Sequence, residues 1–139
     1  MDYKTGLPFL TQWIISPRSG QLPPVTVVET PEFLAATRKL MDEGERAVLV
    51  DYMAHNTMAG DLIPGTGGVR KLRWGLEGRG KRGGACVIYF YHSPGIPLFA
   101  LTAYAKNERA DLGAADRNDF RRLTKLLVEH YTWRSRQGG

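Results

Sequence analysis

Two hydrophobic periods run along this chain, and the places where one gives way to the other divide it into elements. The tract "VTVVET" (25–30) is short and β-branched and predicts a strand. Thr30, Pro31 and Glu32 then form a helix start: a capping hydroxyl, a proline at the first helical position and an early acid. Phe33, Leu34, Thr37, Leu40 and Met41 follow at helical spacing. "DEGERAVLVDYMAHN" (42–56) restarts that period, with Ala47, Val48, Val50, Tyr52 and Met53 expected to face inward. The Pro- and Gly-rich "AGDLIPGTGG" (59–68) predicts a loop. In "VRKLRWG" the period drops to two, which puts Val69, Lys71 and Arg73 on one face and Arg70, Leu72 and Trp74 on the other. A Gly-rich turn at 75–84 leads into "ACVIYFYH" (85–92), and "SPG" turns the chain into "IPLFALTAYAK" (96–106); both read as strands. From 114 to 134 the helical period returns, with Phe120, Leu123, Leu127 and Tyr131 in one stripe. The order predicts an α+β domain: a small antiparallel sheet against an N-terminal helical hairpin and a C-terminal helix. Residues 1–24, with Pro8, Pro17, Pro23 and Pro24 and no sustained period, are expected to be an extension that buries little of the core, leaving 25–139 as the domain.

The length of 139 residues suits one domain with a core of its own, and 42% hydrophobic and 24% charged residues argue against wholesale disorder. A formal net charge of +5 favours an anionic partner such as nucleic acid, a ribosomal surface or an acidic protein. The single cysteine excludes an internal disulfide framework, and His55, His92 and His130 are too scattered for a metal-ligand pattern, so no metal and no cofactor are expected. No apolar run reaches membrane-spanning length. The opening "KTGLPFLTQWIIS" is signal-like, but Gln12 interrupts it and no small-x-small cleavage site follows, so a cytoplasmic protein is expected.

Charge clusters in "GTGGVRKLRWGLEGRGKRGGACVIYFY" (65–91), where six Lys and Arg stand against one Glu. Lys71 and Arg73 share a strand face, Arg70 precedes them on the other, and Arg79, Lys81 and Arg82 crowd the turn. Like charges side by side on a strand are costly unless something anionic sits there. A cationic sheet face of this kind can hold phosphates and stabilise charge developing on a scissile one. Tyr89 and Tyr91 on one face of the next strand, and Tyr104 on the one after, could stack bases or simply be core.

"GDLIPGTGGVRKLRW", "GRGKRGGACVIYFYH" and "LTAYAKNERADL" together resemble the RelE/HigB group of toxins from bacterial type II toxin–antitoxin modules, over roughly residues 25–134. The resemblance implies a RelE-like fold and a ribosome-dependent endoribonuclease, an mRNA interferase that inhibits translation by cutting messenger RNA. It also implies a cognate antitoxin protein, and the ribosome and mRNA as partners. Carried over by position, Lys71 and Arg73 occupy the family's basic positions before the hairpin, and Lys106 and Glu108 fall where it places further active-site groups. Metal-independent RNA cleavage needs an activated 2′-hydroxyl, charge stabilisation at phosphorus and protonation of the leaving oxygen. Arg73 suits the second task, since arginine is always charged, and a lysine whose neutral form neighbouring cations favour suits proton transfer.

Cys86 departs from the family pattern, which has arginine there, as in "GGARVIYY". Cysteine supplies neither a permanent cation nor a bidentate phosphate contact. The substitution weakens cleavage while sparing binding, or the thiol is activated by neighbouring cations, or Cys86 is a small buried strand residue. The rival functional reading is a non-catalytic or gyrase-targeting, ParE-like toxin that acts by binding.

Overall fold

The computed structural model describes residues 23–76, 83–108 and 112–138. They form, in chain order, β1 (Val27–Glu29), α1 (Pro31–Arg38), α2 (Glu43–His55), β2 (Asp61–Leu62), β3 (Val69–Trp74), β4 (Ala85–Phe90), β5 (Leu98–Ala105) and α3 (Ala114–Gly138). The extension foreseen at the N-terminus lies, but for Pro23 and Pro24, outside the described residues.

The α+β class stands, but the sheet is mixed, not antiparallel. Five strands run in the order β1-β5-β4-β3-β2. β3, β4 and β5 form the expected antiparallel meander, whereas β1 pairs parallel to β5, with Val28 opposite Phe99. The opposite edge is β2, two residues within the stretch read as loop, paired antiparallel with β3.

Helices α1 and α2 cover one face of the sheet and α3 covers part of the other. Thr30 caps α1 by accepting a hydrogen bond from the Phe33 N–H at 3.1 Å, and its hydroxyl donates to Ala100 O at 2.9 Å, so one side chain starts the helix and ties it to β5. Asp42 and Glu45 form a reciprocal capping box at the start of α2. That helix turns Leu49 and Met53 inward. Val48 is 61% and Tyr52 38% exposed, and Ala47 also faces out, which corrects the inner face expected from the sequence. Leu72, Val87, Tyr89, Leu98 and Ala100 complete this first core, together with Phe33.

The second core lies under α3. Val69, Ile88, Phe90, Phe99 and Leu101 project from the sheet, and Phe120, Leu127, Val128 and Tyr131 of α3 pack on them. Thr124, not the expected Leu123, occupies the centre of the helix's inner stripe, and Leu123 is exposed. Its hydroxyl donates to Thr66 O at 2.9 Å, while Thr66 accepts from the Val69 N–H and donates to Ile63 O at 2.6 Å. The "GTGG" turn is therefore the anchorage of α3. Gly67 holds φ +79°, and a Cβ there would be driven into the Thr124 hydroxyl.

Candidate phosphate-binding cleft

Strand register decides which basic residues meet. Arg73 lies directly opposite Cys86, and Cys86 directly opposite Tyr104, so one row crosses β3, β4 and β5 on the α3 face. A register shift after Ile88, which faces Thr102 while Tyr89 faces Ala100, leaves Leu101 as the extra residue of a β-bulge. Without it, a one-residue slip would turn Tyr104 away from Cys86.

At the end of this row a cleft of about 190 Å³ opens where β3 leaves the sheet, β4 enters it and β5 ends. Arg73, Trp74, Gly75, Gly84, Cys86 and Lys106 line it. Lys106 is held there by its backbone N–H, which donates to Gly84 O at 3.0 Å. Among the described residues no carboxylate lines the cleft. Two cations, one at the end of β3 and one just after β5, thus reach one small concavity, and among the described residues it has no counter-charge in its wall, an arrangement suited to an anion.

The remaining candidate residues separate into those near the cleft and those elsewhere. Lys71 shares the Arg73 face, two residues and therefore about 7 Å farther along β3. It is half-buried opposite Ile88 on one side and Asp61 on the other. Cys86 is only 8% exposed and belongs to the core under α3, so it is a buried strand residue whose edge reaches the cleft floor. Glu108 does not join Arg73. Its backbone N–H donates to Ala105 O at 2.9 Å and its carboxylate accepts from the Ala105 N–H at 3.1 Å, closing the turn after β5, and it lines a separate cavity beside Lys39.

Arg70 points to the other face, where its guanidinium donates to Gly60 O at 2.6 Å and Met58 O at 3.3 Å. It pins the loop before β2, on the face away from the cleft. Arg79, Lys81 and Arg82 lie outside the described residues.

The tyrosines expected to stack bases are placed for other work. Tyr89 is 0% exposed, its hydroxyl accepting from the Gly60 N–H at 2.9 Å and donating to Thr57 O at 2.8 Å, so neither ring face is open to a base. Gly60 fits because nothing larger can: a Cβ would lie 2.9 Å from both Lys71 O and Tyr89 Cε1. Burial raises the Tyr89 pKa above that of a free tyrosine, and the Gly60 hydrogen bond and Arg70 oppose the shift. The stability this neutral phenol carries is complete below the unfolded tyrosine value of about 10 and is lost as pH climbs through the higher folded value. Tyr89→Phe should cost about 1–3 kcal/mol in urea unfolding, because it strands the buried Gly60 N–H; an unchanged midpoint would mean that water replaces the phenol. Tyr104 is buried as well. Tyr91 is half-buried in a pocket with Pro23, Pro24 and His55, five residues from Cys86 and so about 17 Å from the cleft.

The sequence reading passed over Trp74, because alternation assigns it to the face opposite Arg73. At the end of a strand both faces meet in the cleft. Among the described residues there is no group of His, Cys, Asp and Glu able to hold a metal ion, and no helix long and apolar enough to cross a membrane. No protein-family model matches the chain.

Proposed function

We propose that this protein is a RelE/HigB-like toxin: a metal-independent endoribonuclease that cuts messenger RNA on the ribosome, works in the cytoplasm and is held in check by a cognate antitoxin. The observation that carries the reading is the cleft in which Arg73 and Lys106 converge with no carboxylate among the described residues that line it. Arg73 would stabilise the charge that develops on the scissile phosphate. Lys106, with Lys71 farther along the same face, would move protons between the 2′-hydroxyl, which attacks, and the 5′-oxygen, which leaves. Cys86 would leave the cleft one cation short of the family pattern, so that binding outlasts rapid cleavage.

Purified ribosomes programmed with a defined message test this directly. Cuts in the message within the ribosome support the reading; intact message together with inhibited gyrase would replace it with the ParE-like alternative. Ribosome co-sedimentation across a salt series measures the phosphate contacts. Arg73→Ala and Lys106→Ala should each flatten the slope of log affinity against log salt by about 0.7. Slopes identical to the parent's would take the cleft out of RNA binding.

A further inference from the structure

We infer that Trp74 and Tyr52 form a nucleobase-stacking platform beside the phosphate cleft, which makes the ligand single-stranded RNA with an unpaired base next to the bound phosphate. The inference rests on the cationic cleft proposed above and adds a second, non-ionic subsite to it.

Trp74 ends β3 and lines the cleft together with Arg73 and Lys106. Its ring lies 5.4 Å from that of Tyr52 on α2, tilted by 54°. Trp74 packs against the first core but stays half-buried, and Tyr52, one turn on from Leu49 at the rim of α2, is 38% exposed. A pair serving only to close the core would be better enclosed, as Phe33 and Tyr89 are on this same face of the sheet. Arg73 and Trp74 are consecutive, so their side chains leave opposite faces of the strand, and at the strand's end both border one concavity. A nucleotide draped over this edge sets its phosphate against the guanidinium and its base against the indole. Cations along the backbone with aromatic faces for the bases is the general form of single-strand recognition, and a duplex, whose bases are already stacked, cannot use it.

Stacking and ion pairing respond differently to salt, which separates the two subsites experimentally. The probes are a short single-stranded RNA and a blunt duplex of the same sequence, titrated against the full chain over a salt series. Trp74→Leu should weaken single-strand binding by about 5- to 150-fold, the worth of one stacked base, with the salt slope unchanged and duplex binding unaffected. Trp74→Phe should restore most of the loss. Tyr52→Leu, at the partly exposed rim of α2, should weaken single-strand binding in the same sense, and it carries the test where Trp74→Leu disturbs folding. If both leucine variants bind like the parent while Arg73→Ala still flattens the slope, the platform is overturned and the phosphate cleft stands. Binding by the parent with no salt dependence overturns the cleft instead. A parent that does not discriminate single strand from duplex overturns the platform.

Discussion

Cys86→Arg is expected to raise ribosome-dependent cleavage by about 10²–10³-fold, the cost of losing one charge-stabilising group at comparable sites. The side chain would start from the middle of the Arg73–Cys86–Tyr104 row and must lie along the cleft floor to bring its guanidinium out beside Lys106. The free protein should lose stability, because two arginines would then face each other across adjacent strands. An RNA phosphate between them removes that repulsion, so the variant should gain more thermal stability from RNA than the parent does. Cys86→Met, which adds bulk without charge, controls for the shape of the cleft and should give no gain in rate. Equal cleavage by the arginine variant and the parent, with both folded, would show that position 86 takes no part in the chemistry.

Gly67→Ala should be the most damaging single methyl group in the "GTGG" turn. The backbone at φ +79° disfavours any L side chain, and the new Cβ collides with the Thr124 hydroxyl that fastens α3 to Thr66. The two penalties together amount to about 2–5 kcal/mol. Measured by urea unfolding in both backgrounds, Thr124→Ala should recover the collision part and leave the backbone part. Additive losses in that cycle would mean that Gly67 and Thr124 do not press on one another. The "GTGG" block of the toxin resemblance thus has a structural duty independent of RNA.

How much of this was legible beforehand depended on whether a residue's period had only one solution. Thr30–Pro31–Glu32 and the alternation of Val69 to Trp74 each admit one reading, and the structure has a capped helix and a strand there. Residues 47–53 of α2 are nearly all apolar, so helical period alone could not choose Leu49 and Met53 over Val48 and Tyr52. Strand β4 is buried throughout, which hid the fact that Tyr89 is committed to Gly60 and Thr57. At the candidate site, order along the chain singled out Arg73, Cys86 and Lys106, and cross-strand register brings all three to one cleft. Glu108 and Arg70 lie apart from that cleft because each finds backbone partners, and those hydrogen bonds hold the side chain elsewhere.

The parallel pairing of β1 with β5 also sets an order of events during synthesis. The meander β3–β5 closes through neighbouring segments, but Thr30 must wait for Ala100, seventy residues later, before its hydroxyl has an acceptor. A nascent chain therefore lacks the tie between the start of α1 and the sheet until β5 has cleared the exit tunnel. Lys106 follows β5 immediately, so the last strand that completes the sheet also delivers the last cation to the cleft. Under the function proposed above, the cleft has neither its last wall nor its second cation until β5 has paired and Lys106 has followed it into place.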